Sequence, residues 1–143
     1  MLTDASCESI RAVLERCEAI VAAWVFGSVA RSDATADSDL DIAVLLRGPA
    51  TDDVRRQLRT LSVELERFSP SSRVDIVILG PQGSVFRHRV LREGHLVLDR
   101  DPSVRHAFEG RTIAEYLDWR PTHDIAMAST LEGLRRRFSE TPP

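Results

Sequence analysis

The chain has 143 residues, 43% of them hydrophobic, which suits one domain with its own buried core. Its formal net charge of −3 at pH 7 lacks the basic excess that duplex nucleic acid attracts, so no direct binding to nucleic acid is expected. No apolar run reaches the roughly 18 residues of a membrane span, no signal peptide is visible, and Cys7 and Cys17 lack metal-site spacing, which predicts a cytoplasmic protein with reduced thiols.

Apolar periodicity predicts alternating helices and strands, and hence a single α/β or α+β domain over residues 1–143 with a small sheet of about four strands flanked by helices. The first predicted elements are an amphipathic helix with an N-cap at Thr3 or Asp4 and the apolar residues Ile10, Val13, Leu14 and Cys17, a strand over Ala19–Phe26, and a short helical turn and loop over 29–38. A strand over Asp39–Leu46 follows, and then a helix with an N-cap at Thr51 or Asp52 and the apolar stripe Val54, Leu58, Leu61, Leu65 and Phe68. The last elements are a strand over Arg73–Leu79, a helix over about 84–92, a short strand over Leu96–Leu98, and a helical tail over about 102–138 divided near Pro121.

Three carboxylates in predicted strands indicate a cation site. Asp39 and Asp41 are two residues apart on one predicted strand, so their side chains project from the same face. Asp75 lies inside another apolar strand. Neighbouring carboxylates repel and resist desolvation, so they require a cation, basic partners or open water. Magnesium suits such oxygen ligands and takes the rest of its shell from substrate phosphates and water.

A phosphate site is predicted upstream of these carboxylates, where a strand ends at Gly27-Ser28. Gly27 has no Cβ and lets backbone approach a phosphate, and Ser28 begins a helix whose free N–H groups attract anions. Arg31 offers a further charged contact to a phosphate, although a surface pairing with Asp33 explains it equally well.

Each of these features has an ordinary structural explanation when it is taken alone. Gly-Ser is usually a turn, Asp-x-Asp is more often a solvated strand edge, and Asp75 offers a salt-bridge partner for Arg73 or another arginine. The combination, with ten residues between Ser28 and Asp39 and a strand on either side, is the specific signal.

The runs over residues 26–31 and 38–44, with Asp75 in a later strand, resemble the signature of the minimal nucleotidyltransferases of the polymerase-β-like superfamily. The motif-bearing part covers about residues 20–80, and residues 92–98 with the helical tail resemble the small members encoded as antitoxins beside HEPN-domain toxins. The resemblance implies a nucleotidyltransferase fold with a mixed sheet, ATP·Mg²⁺ as donor, and transfer of AMP to a tyrosine of the partner toxin with release of pyrophosphate. The resemblance also implies that the chain forms a hetero-oligomer with the toxin.

The site roles follow from the chemistry of the side chains. Asp39 and Asp41 would hold Mg²⁺, Asp75 would complete a second metal position or act as general base, and Gly27 and Ser28 would hold the β- and γ-phosphates. Arg31 would contribute a phosphate contact or pair with Asp33.

Two alternatives remain open from the sequence. Nucleotidyl transfer to a small hydroxylated acceptor such as an aminoglycoside uses the same metal core, but the roughly 60 residues after the Asp75 strand favour an acceptor with its own surface. A non-catalytic antitoxin that acts by binding alone would not need the three aspartates. The four histidines are expected on the surface or in packing, and Arg135–Arg137 forms a basic patch at a predicted helix end. Tyr116 and Trp119 offer a surface to a partner, but an intramolecular contact is expected for them.

Overall fold

The computed structural model describes residues 2–119, which form a four-stranded sheet with helices on both faces. Its elements are α1 (Asp4–Leu14), β1 (Ile20–Phe26), α2 (Gly27–Ala30), β2 (Leu40–Leu46), α3 (Asp52–Leu65) continued by a 3₁₀ turn (Glu66–Phe68), β3 (Val74–Ile78), α4 (Ser84–Glu93), β4 (His95–Asp99) and α5 (102–119). None of the helices in this part of the chain is long and apolar enough to cross a membrane.

The sheet is mixed, in the order β3-β2-β1-β4. β1 runs antiparallel to both β2 and β4, whereas β2 and β3 are parallel because α3 carries the chain back between them. The predicted α/β fold with about four strands and flanking helices is therefore confirmed.

Two apolar clusters cover the two faces of the sheet. On one face, α1 and α3 pack Leu14 and Leu61 against Ile42. On the other face, Trp24 packs with Val90 of α4 and Phe108 of α5. Asp41 alternates with Ile42 along β2, and its side chain therefore lies on the α4 side of the sheet.

Two helices, α1 and α3, begin after a threonine whose hydroxyl caps the first turn. Thr3 Oγ1 accepts a hydrogen bond from Ser6 N at 3.1 Å, and Thr51 Oγ1 accepts one from Val54 N at 3.2 Å. Of the alternatives at each start, the threonine is the N-cap, because the aspartate that follows already lies in the first helical turn.

Several predicted boundaries were wrong by one or a few residues. Asp39 precedes β2 instead of beginning it, because its backbone lies outside the ladder that starts at Leu40, and Phe68 belongs to the 3₁₀ turn. The expected intramolecular packing of Tyr116 is confirmed by its stacking on His88, with ring centroids 3.8 Å apart. The predicted break at Pro121, the tail up to 138, His123 and Arg135–Arg137 lie outside the described residues.

Candidate active site

Asp41 lies at the centre of the candidate site, between the strands on either side of it. It pairs with Phe26, the last residue of β1, and with Asp75 of β3. Residues paired across a sheet project their side chains from the same face, so the carboxylates of Asp41 and Asp75 are neighbours. The sequence spacing therefore brings Gly27, Asp41 and Asp75 together.

Gly27 is required at its position for two independent reasons. Its φ is +72°, in the left-handed region that side chains avoid, and a Cβ on this residue would lie 2.3 Å from Asp41 Oδ2. The space that a Cβ would occupy is thus filled by the Asp41 carboxylate. The predicted contact of the Gly27 backbone with a phosphate stays a prediction, and the structure adds that the missing Cβ also leaves room for the Asp41 carboxylate.

Ser28 follows in α2, which has four residues and begins at Gly27 instead of Ser28. A single helical turn sums few peptide dipoles, so the predicted attraction of a helix N-terminus for phosphate is weak here. The Ser28 carbonyl accepts a bond from Asp33 N at 3.1 Å, and its hydroxyl has no hydrogen-bond partner among residues 2–119. That hydroxyl is available to an incoming anion.

Asp39 is held by residues that precede β3. Its Oδ1 accepts hydrogen bonds from Arg73 Nε at 2.9 Å and from Ser71 Oγ at 3.1 Å. The suggested Arg73–Asp75 salt bridge was wrong, since Arg73 pairs with Asp39. Arg73 and Asp39 are 34 residues apart in the chain, and no sequence pattern predicts that they pair.

Asp75 is exposed and forms no ion pair within residues 2–119. The expectation that it resists desolvation inside an apolar strand was wrong, because β3 is the last strand of the sheet and leaves this side chain in water. An exposed, unpaired carboxylate beside Asp41 is free to bind a cation or to accept a proton.

The charges around Asp41 are unfavourable in the absence of a cation. Burial raises the pKa of the Asp41 carboxyl, and the neighbouring charges of Asp75 and then Asp39 raise it further, while Arg31 acts in the opposite direction. The Arg31 guanidinium forms an ion pair with Asp33 at the surface, at 3.3 Å, as the sequence suggested. It acts on the pKa of Asp41 from that position.

The chemistry of the donor set suits magnesium, although the side chains are not gathered around one point. Three carboxylates supply hard oxygen ligands, and a cation would relieve the repulsion that raises the pKa of Asp41. As placed here, no three acidic, histidine or cysteine side chains of residues 2–119 are close enough to hold an ion together. The contacts of Asp39 with Arg73 and Ser71 use its Oδ1 and leave its Oδ2 open.

An aromatic pair that sequence reasoning missed borders the site. Phe26 is the cross-strand neighbour of Asp41, and its ring meets that of Phe86 edge to face, with centroids 5.7 Å apart. The Phe86 ring also lies under the Arg89 guanidinium, 5.4 Å from its centroid. No spacing rule links these residues, since they meet through the packing of α4 on the sheet.

Comparison with solved structures gives the same fold. A mutant of the toxin-antitoxin MntA-HpeT aligns with a TM-score of 0.68 and 20% identity, over 87% of this chain and 98% of that chain. A chain from the structure of a tri-AMPylated Shewanella oneidensis HEPN toxin in complex with an MNT antitoxin gives 0.66 and 20%, over 91% and 99%. A toxin-antitoxin with AMP-PNP gives 0.65 and 20%, over 85% and 98%.

No curated protein sequence matches the chain. The family model described as "Polymerase beta, Nucleotidyltransferase" matches residues 8–103, which include all four strands and every carboxylate of the site. The chain therefore belongs to the polymerase beta nucleotidyltransferase family.

Proposed function

We propose that the chain is a Mg²⁺-dependent adenylyltransferase that transfers AMP from ATP to a tyrosine of a HEPN-domain toxin and thereby acts as its antitoxin. The observation that carries the proposal is the register of the sheet, which aligns Asp41 with Asp75 beside the end of β1 at Gly27. Membership of the nucleotidyltransferase family supplies the reaction class. The partner is proposed because the similar folds named above come from toxin–antitoxin assemblies, one of which contains an AMPylated toxin.

Asp39, Asp41 and Asp75 would hold the metal, with Asp41 at the centre. When bound, Mg²⁺ neutralises the charge of the triphosphate and of the phosphorus centre under attack. Gly27 supports this arrangement by leaving the space in which the Asp41 carboxylate lies. The Asp41 carboxylate thereby lies against the first residue of α2, directly before Ser28.

Ser28 and Arg31 would contact phosphate oxygens. The Ser28 hydroxyl, which has no partner within residues 2–119, is able to donate a hydrogen bond to the β- or γ-phosphate, and the first N–H groups of α2 have no intrahelical acceptor. Arg31 would exchange its exposed pairing with Asp33, which is worth at most about 1 kcal/mol, for a charge-assisted contact to phosphate.

Asp75 is proposed as the residue that accepts the proton of the attacking tyrosine. It is exposed and unpaired within residues 2–119, so an acceptor side chain that comes from outside the chain reaches it directly. The tyrosine oxygen then forms the bond to the α-phosphorus, the bond to the pyrophosphate oxygen breaks, and pyrophosphate leaves.

The test is to incubate the purified chain, Mg²⁺ and α-labelled ATP with and without the cognate HEPN-domain protein. We expect label on the partner, its loss with EDTA, and its loss in Asp41→Asn. Asp52→Ala serves as the matched control, since it removes an exposed carboxylate from the start of α3 and should leave labelling unchanged. Absence of label with the wild-type chain would contradict adenylylation.

A cell-growth assay separates catalysis from binding. If Asp41→Asn still neutralises the toxin on co-expression while labelling is lost, the chain acts by binding alone. Neutralisation that disappears together with labelling supports the enzymatic proposal.

A further inference from the structure

Phe86 and Arg89 form an aromatic–arginine pair on the face of the sheet that bears Asp41. Phe26 is paired with Asp41 across β1 and β2, so the two side chains project from one face with Cβ atoms about 5 Å apart. The Phe86 ring meets the Phe26 ring edge to face, with centroids 5.7 Å apart. Only the Phe26 side chain therefore separates the pair from the proposed metal carboxylate.

Helix α4 places both members of the pair at the active-site end of the sheet. Phe86, in the first turn of α4, contacts Phe26, the last residue of β1. Val90, one turn later, packs with Trp24 nearer the middle of that strand, so the helix begins beside the site and leads away from it. Arg89 follows Phe86 by three residues, a spacing that makes side chains neighbours on a helix, and its guanidinium carbon lies 5.4 Å from the ring centroid.

Arg89 differs from the other arginines of α4 in the described part of the chain. Arg87 and Arg92 each form an ion pair with a glutamate. Arg89 is exposed and forms no ion pair or hydrogen bond within residues 2–119, where its contact is with the Phe86 ring. A cation without a counterion, beside a site that would receive a polyanion, is available to the ligand.

We infer that Phe86 and Arg89 bind the nucleobase of the donor nucleotide, stacked between the ring and the guanidinium; the inference rests on the proposed function. Every nucleobase has a π-face that stacks on an aromatic ring, and a guanidinium stacks on such planes as well. A base between the two groups needs two van der Waals contacts of about 3.5 Å, roughly 7 Å in all. The Arg89 guanidinium, on an exposed and flexible stem, has to move outward by only about 2 Å.

The strand order separates this base subsite from the acceptor. Asp41 lies on β2, with Phe26 on the β1 side of it and Asp75 on the β3 side. A base held by Phe86 puts the ribose between the aromatic pair and Asp41, and it leaves the β3 side open to the tyrosine of the acceptor. Because the base takes no part in the reaction, stacking should strengthen binding of the nucleotide equally in the ground state and in the transition state.

The first arm of the test measures the affinity of the purified chain, with Mg²⁺, for α,β-methylene-ATP and for inorganic tripolyphosphate, which lacks the base. Phe86→Leu should weaken binding of the ATP analogue about tenfold and Arg89→Met about threefold, because the stacking and cation–π contacts are lost. Binding of tripolyphosphate should change less than about twofold in both variants. Phe86→Tyr keeps the ring and should bind the ATP analogue within about twofold of the wild type.

Phe68→Leu and Arg92→Met are the matched controls. Phe68 also carries an arginine over its ring, with Arg67 at 4.8 Å, but it packs against the apolar cluster on the opposite face of the sheet. Arg92 lies on α4 and pairs with Glu93. Both controls should bind both ligands like the wild type. The thermal transition of every variant is measured first, so that affinities are compared among folded proteins.

Three results of this arm would overturn the inference. The first is equal weakening of ATP-analogue and tripolyphosphate binding in Phe86→Leu and Arg89→Met, because the two residues would then act on the phosphates or on the fold. The second is unchanged affinity of Phe86→Leu for the ATP analogue, or a Phe86→Tyr variant as weak as Phe86→Leu. The third is a wild-type chain that binds the ATP analogue no more tightly than tripolyphosphate.

The second arm repeats the adenylylation assay with the HEPN-domain protein and separates the base subsite from the proposed function. Phe86→Leu should raise the KM for ATP about tenfold and leave kcat within about twofold, as loss of uniform binding requires. A fall in kcat at unchanged KM would contradict the base subsite while adenylylation stands. If the base-dependent loss of affinity appears in the first arm while the wild-type chain transfers no label, adenylylation fails and the base subsite stands.

Discussion

Replacement of Gly27 by alanine tests how the site is built. The substituted residue must hold φ at +72°, which costs an L side chain about 1–2 kcal/mol. Its Cβ would also lie 2.3 Å from Asp41 Oδ2, so the carboxylate must leave its rotamer at a further cost of about 0.5–1.5 kcal/mol. We expect a loss of about 2–3 kcal/mol in the free energy of unfolding, which corresponds to a fall in Tm of roughly 6–12 °C.

The same displacement should reduce catalysis. A shift of about 1 Å in a metal-binding carboxylate typically lowers the rate about a hundredfold. Labelling of the HEPN-domain partner by α-labelled ATP should be measured well below the melting transition, so that the folded fraction is equal for all variants. Gly48→Ala is the matched control, because a Cβ there meets nothing within 4 Å and φ is not positive.

A double-mutant cycle separates the two costs. In an Asp41→Ala background the carboxylate is gone, so Gly27→Ala should cost only the left-handed conformation, and the coupling between the two sites should be about 1 kcal/mol. Equal penalties in both backgrounds, or transfer within twofold of wild type in Gly27→Ala, would refute the steric argument.

Three further perturbations have definite expected outcomes. Asp41→Asn should raise the Tm of the free protein at pH 7, since it removes a charge that burial and neighbouring carboxylates disfavour. The pKa of Asp41 is higher in the folded than in the unfolded chain, so the wild-type carboxylate takes up a proton and loses its repulsion as pH falls through the folded-state pKa. Calorimetry should therefore show the Tm difference between variant and wild type shrinking towards pH 4. A Tm difference that does not change with pH would contradict the electrostatic explanation. Arg73→Ala should lower the Mg²⁺ concentration for half-maximal transfer about threefold to fivefold, because an exposed ion pair worth up to about 1 kcal/mol no longer competes with the metal for Asp39. If the Mg²⁺ requirement rises instead, Arg73 positions the Asp39 carboxylate for the metal. Arg100→Met should cost about 3 kcal/mol in chemical denaturation, since its guanidinium donates to three backbone carbonyls around the start of β1, yet transfer at low temperature should not change.

Local features of the fold were predictable because they depend on neighbours in sequence. The apolar stripe of α3 and the alternation in β2 follow directly from residue order, and the threonine caps lie where hydroxyl side chains precede α1 and α3. The spacing of Gly27, Asp41 and Asp75 likewise marks the site, since it reflects how this turn and these strands are joined.

Contacts between distant segments were not predictable in the same way. The pairing of Arg73 with Asp39 arises because the approach to β3 passes the start of β2, and the sequence contains several other arginines that would satisfy an aspartate equally well. The exposure of Asp75 depends on strand order, which periodicity does not encode. The contact of Gly27 with Asp41 was missed for the same reason, because the two residues meet only through the pairing of β1 with β2.

These contacts bear on how the proposed metal is acquired. Asp41 lies beside two other carboxylates that raise its pKa, and Asp39 is drawn towards Arg73, so the free protein separates its negative charges. That ion pair is largely exposed, with 65% of the Arg73 side chain and 44% of the Asp39 side chain accessible, and is weak enough for a divalent cation to displace. Magnesium gives up its water reluctantly and usually binds through one or two carboxylates together with substrate phosphates. We therefore infer that the site receives the cation as part of Mg·ATP, with the triphosphate completing a ligand set that the three aspartates leave open.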